Sequence, residues 1–221
     1  MWKDKYNTNV AKCYIYKNIY SPKSTTTWVL TTDLTLDGRM DILFNDDAHI
    51  FDEIYWKENT GTGNFKTEEF IFQRTPFIEK IIALDFDGDN DKDVLVRSDK
   101  KDYIAWYANN GLNRFSDVRF INTNAEDIGE IETFDLDDDG DIDILNSLIT
   151  KKQIVWYEND GFGGISNTHI IADELENLNH LLSFDLDQDG DLDILASTKD
   201  ITSNTHILYR IENIGGGEFG F

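Results

Sequence analysis

The chain has 221 residues, of which 40% are hydrophobic, and a formal net charge of −23 at pH 7. This charge argues against nucleic-acid binding, which needs clustered lysine and arginine, and disfavours anionic membrane surfaces. A single cysteine excludes an intrachain disulfide and a cysteine-based zinc site, and no apolar run reaches the length of a membrane span.

The N-terminal segment lacks the charged-then-apolar profile of a secretory signal. It does contain a pattern that recurs later, because Val10 and Ile15 are apolar residues five positions apart. The same spacing follows three predicted turns, in the pairs Phe65 and Phe70, Phe115 and Phe120, and Ile165 and Ile170. The segment is therefore a candidate outer strand of a repeat.

An aspartate-rich stretch occurs four times along the chain. Its copies are "DLTLDGRMDIL" at 33–43, "DFDGDNDKDVL" at 85–95, "DLDDDGDIDIL" at 135–145 and "DLDQDGDLDIL" at 185–195. The first step between copies is 52 residues, and the next two are 50 residues each. A nearly constant step of this size indicates a chain built from internal repeats.

An Asn-x-Gly turn follows each acidic stretch, and Asn and Gly favour tight hairpins because they tolerate positive φ. The segments between these landmarks, such as "VLVRS" at 94–98 and "YIAWYAN" at 103–109, are rich in the β-branched and aromatic residues of strands. Each repeat has room for about four strands, which predicts an all-β fold, a β-propeller of four blades of about 50 residues each.

We expect residues 1–221 to form a single β-propeller domain, with repeats at about 10–64, 65–114, 115–164 and 165–221. The last repeat has no outer strand after its turn, so the strand around Val10 would complete the fourth blade. Closing the ring in this way would remove an unpaired sheet edge. The alternative is a piece excised from a larger propeller.

The acidic stretches have the composition of a metal site. Counted from the first aspartate, carboxylates stand at positions 1, 3, 5 and 9, and glycine or asparagine turns the chain at position 6. Alternate side chains of a tight loop converge, and position 7 can add its carbonyl oxygen. Such all-oxygen coordination suits calcium better than magnesium. Ordinary solvated Asp-Gly turns would not need four fixed carboxylates in three copies.

We number these stretches loops 1 to 4 and expect Ca²⁺ in three complete loops. The candidate ligands, position 7 included, are Asp85, Asp87, Asp89, Asp91 and Asp93 in loop 2, Asp135, Asp137, Asp139, Asp141 and Asp143 in loop 3, and Asp185, Asp187, Asp189, Asp191 and Asp193 in loop 4. Loop 1 has Thr35 in place of a carboxylate and Arg39 at position 7. We therefore expect only a weak or empty fourth site there, at Asp33, Asp37 and Asp41.

The four stretches resemble the calcium loop of the FG-GAP repeat family, which is integrin-α-type and VCBS-like. The resemblance implies a β-propeller in which calcium clips the first two strands of each blade. It also implies work outside the cell, in adhesion, as a lectin or within a surface-displayed assembly.

The expected function is a non-catalytic recognition, adhesion or scaffold module at the cell surface or outside the cell, binding protein or glycan on a propeller face. No catalytic motif is visible, so we expect no enzyme activity. Two alternatives remain open. One is a lectin-like, ancillary or catalytic propeller of a polysaccharide-processing system. The other is a structural element that packs against neighbouring domains or copies, which a large apolar patch would favour.

Three tryptophans, Trp56, Trp106 and Trp156, stand at equivalent places in their repeats. They could pack between blades or form a stacking platform for sugar rings. The repeated placement favours packing, because a ligand site seldom needs every blade.

Overall fold

The structure is a computed structural model. It describes residues 2–3, 9–10, 19, 28–47, 52–67, 69–75, 77–98, 102–111, 114–116, 118–122, 127–200 and 202–220. Every regular element in these ranges is a β-strand, so no helix there is long and apolar enough to cross a membrane. The all-β prediction is confirmed.

Sixteen of the strands form four antiparallel sheets of four strands each, in which strands consecutive in sequence pair with one another. Sheet 1 contains β3 (Val29–Thr32), β4 (Asp41–Asp47), β5 (Asp52–Lys57) and β6 (Glu69–Thr75). Sheet 2 contains β7 (Ile78–Leu84), β8 (Asp93–Ser98), β9 (Tyr103–Tyr107) and β10 (Arg119–Asn122). Sheet 3 contains β11 (Ile128–Phe134), β12 (Asp143–Leu148), β13 (Gln153–Asn159) and β14 (Ile165–Ala172). Sheet 4 contains β15 (Leu178–Phe184), β16 (Asp193–Asp200), β17 (Thr205–Asn213) and β18 (Phe219–Gly220).

The two remaining strands correct the expectation for the N-terminal segment. Strand β2 (Asn9–Val10) pairs with β1 (Trp2–Lys3) and not with sheet 4, while Ile15 lies outside the described residues. The fourth strand of sheet 4 is β18, which pairs with Glu212 and Asn213. A tight hairpin closes a much shorter loop than a strand from the other end of the chain would, so the local pairing costs less entropy.

Each sheet has a forward face, which we define by one cross-strand pair. The pairs are Leu43 with Trp56, Leu95 with Trp106, Leu145 with Trp156 and Leu195 with Arg210. The forward faces of sheets 1, 2 and 3 each pack against the back face of the next sheet and form three apolar cores. Within the described residues no such core joins sheet 4 to sheet 1, so the sheets form a row that is not closed.

The three tryptophans lie inside these cores. Trp56 and Trp106 are each 1% exposed and Trp156 is 3% exposed. Trp106 packs edge-on against Phe86, with ring centroids 5.2 Å apart. These positions confirm the packing interpretation of the repeated tryptophans.

In sheets 3 and 4, the turn that follows the Asn-x-Gly sequence covers the tryptophan of the preceding sheet. A Cβ atom added to Gly163 in sheet 3 would overlap the Trp106 ring of sheet 2. Gly217 in sheet 4 lies in the same way against the ring of Trp156. These glycines set how closely adjacent sheets can approach, because a larger residue would push the sheets apart.

Substitution Gly163→Ala tests this contact. Alanine at this position must adopt a positive φ, and its methyl group must displace the Trp106 ring. We therefore expect a loss of about 2–5 kcal/mol in the free energy of unfolding. Gly216 is the matched control, since it also has positive φ but no atom within 4 Å of an added Cβ. Gly216→Ala should cost only about 1 kcal/mol. Urea unfolding of both variants gives the comparison, and equal losses would contradict the packing role.

Candidate metal centres

The last aspartate of each loop is buried and accepts hydrogen bonds from two backbone N–H groups, and we call it the clamp. In loop 3, Asp143 accepts the backbone N–H of Leu136 through Oδ2 at 3.0 Å and that of Asn159 through Oδ1 at 2.9 Å. The same two bonds recur elsewhere: Asp41 with Leu34 and Asn59, Asp93 with Phe86 and Asn109, and Asp193 with Leu186 and Asn213. Each clamp ties the start of the acidic loop to the end of the sheet's third strand.

The first aspartate shapes the turn of the loop. Asp135 accepts the N–H of Gly140 at 2.9 Å, and Asp85 accepts the N–H of Asn90 at the same distance. Gly140 has a φ of 96° and Asn90 a φ of 70°, so position 6 lies in the left-handed region as its residue types predict. This turn folds the chain back and places the carboxylates of positions 1 and 3 near the clamp.

Three groups of carboxylates are close enough to share a metal ion, with one oxygen from each member within 4.8 Å of the others. The groups are Asp85, Asp87 and Asp93 in loop 2, Asp135, Asp137 and Asp143 in loop 3, and Asp185, Asp187 and Asp189 in loop 4. Six other predicted ligands lie outside them: Asp89, Asp91, Asp139, Asp141, Asp191 and Asp193. The described loop 1 residues Asp33, Asp37 and Asp41 form no such group.

Loops 2 and 3 contain carboxylate oxygens that lack any partner. The Oδ1 atoms of Asp85, Asp87 and Asp137 are shielded from solvent and accept no hydrogen bond. Burying an anionic oxygen without a partner costs free energy. A hard cation such as Ca²⁺ is the metal ion that a site made only of carboxylates binds best. The residues present therefore fit a calcium ion.

The electrostatics of these two loops agree with this fit. Burial is the main cause that raises the pKa of Asp93 to about 7 and that of Asp143 to about 6. Burial, followed by the charge of the neighbouring position-5 aspartate, also raises the pKa of Asp87 and Asp137. A raised pKa means that these carboxyl groups retain a proton to a higher pH than an exposed aspartate does, so protons and a metal ion compete for the same oxygens.

The position-7 carboxylates point toward the Asn-x-Gly turn of their own sheet. A Cβ atom added to Gly111 would lie 2.6 Å from Oδ2 of Asp91, and Gly161 stands in the same relation to Asp141. The turn glycine thus leaves space for an acidic side chain. From the pattern of alternating aspartates alone, a position-7 carboxylate that packs against the turn could not be distinguished from one that binds metal.

The asparagine of the turn has a role that the sequence did not reveal. In sheet 3, Asn159 donates through Nδ2 to the carbonyl of Ile142 at 3.0 Å and to that of Phe86 in sheet 2 at 2.8 Å. Asn213 of sheet 4 likewise donates to the carbonyl of Leu136 in sheet 3 at 2.9 Å. The amide therefore binds the acidic loop of the preceding sheet, and the recurrence of the asparagine in every Asn-x-Gly turn was its only signal in the sequence.

Loop 1 contains its own cation. The Arg39 guanidinium forms an ion pair with Asp37 and donates from Nε to the carbonyl of Asn59 at 2.7 Å. Thr35, which replaces the position-3 carboxylate, donates its backbone N–H to Asp41 at 3.3 Å. Asp37 in this loop therefore already has a positively charged side chain as its partner.

Loop 4 also contacts an arginine, which the sequence analysis did not anticipate. Arg210 forms an ion pair with Asp187 and lies 2.9 Å from Oδ2 of the clamp Asp193. Its hydrogen bond is the main cause that lowers the pKa of Asp187, in contrast to the raised values in loops 2 and 3. The three complete loops are therefore not equivalent.

Repeated four-stranded sheets with an acidic loop between their first two strands define a class of repeat proteins. The chain belongs to the FG-GAP-like repeat family, whose family model matches residues 33–96 and again residues 85–146. No curated protein matches the chain.

Among solved structures, the chain is similar to part of a chain in the Photorhabdus luminescens Tc holotoxin pore. The sequence identity is 12% and the TM-score is 0.49. The similar region covers 90% of this chain and 12% of the toxin chain.

Substitution Asp143→Ala tests the clamp without any metal. It leaves two buried backbone N–H groups without an acceptor, so we expect a loss of about 2–5 kcal/mol in unfolding free energy in the presence of EGTA. Asp141→Ala in the same loop is the control, and its effect should stay within about 0.5 kcal/mol because no backbone donor depends on it. A clamp variant as stable as the control would show that Asp143 matters only as a metal ligand.

Proposed function

We propose that loops 2 and 3 bind calcium, and that the chain is a calcium-stabilised, non-catalytic recognition or scaffold module. The observation that carries this proposal is the set of buried, partnerless oxygens on Asp85, Asp87 and Asp137. Family membership supports the choice of calcium, since the acidic stretches resemble the family's calcium loops. An ion in each loop would neutralise carboxylates that otherwise repel one another.

The ion would act on structure and not on a reaction. In loop 3 it would be held by Asp135, Asp137 and Asp143, which come from the end of β11, the loop and the start of β12. Binding would therefore clip the first two strands of the sheet together. Weak oxygen sites of this kind fill at the millimolar calcium found outside cells, so we propose an extracellular or cell-surface location.

The proposed partner is another protein, bound to the forward face of sheet 4. Ile54, Ile104 and Ile154, each two residues before the tryptophan of its sheet, are 0% exposed because the next sheet covers them. Leu208 occupies the equivalent position in sheet 4 and is 74% exposed.

Leu182 and Phe184 on β15 are also exposed, so sheet 4 presents several exposed apolar side chains together with the charged Arg210. The tryptophans that a sugar-stacking platform would use are buried between sheets. Both observations favour a scaffold that packs against the sheet face of a neighbouring protein over a lectin.

Calcium binding is tested by titration calorimetry and by thermal melts in calcium and in EGTA. We expect one ion each in loops 2 and 3, and a melting temperature at least 10 °C higher in saturating calcium, since binding to the folded state alone adds several kcal/mol. Magnesium at the same concentration should give a much smaller shift.

Two neighbouring aspartates of loop 3 provide a matched pair for this test. Asp137→Asn should abolish one binding event, because Asp137 is one of the three carboxylates that could hold the ion in loop 3. Asp138→Asn removes the same charge from the same loop at an exposed position outside that group and should leave the stoichiometry unchanged. Absence of binding to the unmodified chain would reject the calcium proposal.

The protein-binding face is tested with a second copy of the chain as the probe. Sedimentation velocity should show reversible self-association at high protein concentration, and Leu208→Asp should abolish it. Phe162→Asp is the control, since Phe162 is 81% exposed but lies on a turn of sheet 3. Equal behaviour of the unmodified chain and both variants would argue against this face as a binding surface.

A further inference from the structure

The acidic loops of the two outer sheets differ from those of the two inner sheets in one respect. Arg39 contacts a loop 1 carboxylate, and Arg210 contacts two loop 4 carboxylates. Within the described ranges, no lysine or arginine forms an ion pair with an aspartate of loop 2 or loop 3. Of the acidic-loop residues that the structure describes, only those of these two inner loops have buried carboxylate oxygens without a partner.

Arg210 stands where the other sheets have tryptophan. It pairs across the sheet with Leu195, as Trp106 pairs with Leu95 and Trp156 pairs with Leu145. The register places this side chain on the forward face beside the acidic loop of its own sheet. An uncharged indole is thereby replaced with a cation that can reach the carboxylates.

The Arg210 guanidinium contacts loop 4 at two places, near its start and at its last aspartate. Its Nε donates to Oδ2 of the clamp Asp193 at 3.1 Å, and a terminal nitrogen contacts Asp187 at position 3. Glu212 lies 3.9 Å away on the same strand. Asp193 is 1% exposed, so its charge receives almost no solvation from water and depends on these donors.

We propose that Arg210 is a built-in cation that takes the place of calcium in loop 4, so that this loop stays folded without metal. Arg39 does the same in loop 1. The proposal rests on calcium binding by loops 2 and 3, as proposed above, and it reduces the three expected sites to the two inner ones.

Chemistry favours the arginine over an incoming ion at this place. A guanidinium is always charged and offers several planar donors that match carboxylate oxygens. It is tethered to the neighbouring strand, so it loses no translational freedom when it pairs, whereas a calcium ion does. Calcium would also have to displace the guanidinium from Asp187 before the group could close around it.

The first test counts calcium ions by titration calorimetry in the unmodified chain and in Arg210→Met. Methionine removes the charge and keeps a flexible, unbranched side chain. We expect Arg210→Met to bind one ion more than the unmodified chain, and Asp187→Asn added to Arg210→Met should remove it again. Lys199→Met is the control, because it removes an exposed positive charge from the far end of β16 and should add no ion.

A second test does not require the arginine variant to fold. In the unmodified chain, Asp187→Asn should leave the number of bound ions unchanged, whereas Asp137→Asn should lower it by one. Loss of an ion in the Asp187→Asn variant, or an unchanged count in folded Arg210→Met, would overturn the role of Arg210 and leave the proposed function intact. No calcium binding by any of these chains would overturn the proposed function and this inference together.

Discussion

The buried aspartate at the ninth position of each loop is the interaction on which the rest of the structure depends. A carboxylate in the protein interior must receive hydrogen bonds, and in every loop two of its donors are backbone N–H groups far apart in sequence. Satisfying Asp143 therefore fixes the start of the loop at Leu136 and the end of the third strand at Asn159. The Asn159 amide is then placed to bond with the preceding sheet. One buried charge thus determines the loop, the hairpin and part of the contact between sheets.

The same geometry brings carboxylates close enough to repel one another, and the four loops differ in how this repulsion is reduced. A turn tight enough to reach the clamp brings the carboxylates of positions 1 and 3 together, where like charges raise the free energy of the folded state. Loops 1 and 4 balance this charge with Arg39 and Arg210, whereas loops 2 and 3 retain bare oxygens. Repeats that look equivalent in sequence can therefore differ in their need for an external ion.

Features that depend on short segments could be predicted from the sequence, and features that depend on register or neighbours could not. The loops, the left-handed position at Gly140 and the strands around the Asn-x-Gly turns follow from local backbone preferences. The burial of Trp106 followed from its repetition. In contrast, the contact of Arg210 with Asp187 spans 23 residues and becomes visible only when the strand register is known. The exposure of Leu208 could not be predicted either, because it occupies the same place in its repeat as the buried isoleucines. It differs from them only because no further sheet of the described residues covers it.

The row of three apolar cores has a consequence for how the molecule loses its structure. Among the described residues, each apolar core joins one sheet to the next, so stability in the row is a sum of nearest-neighbour terms and not the property of one shared core. Sheets 2 and 3 each have two such interfaces, while sheet 4 has one. Amide hydrogen exchange should accordingly be graded along the chain, with β16 and β17 opening at a lower free energy than β12 and β13. Because the bare carboxylates lie in the two inner sheets, ion binding there would govern whether the row opens as one cooperative unit or separates in the middle.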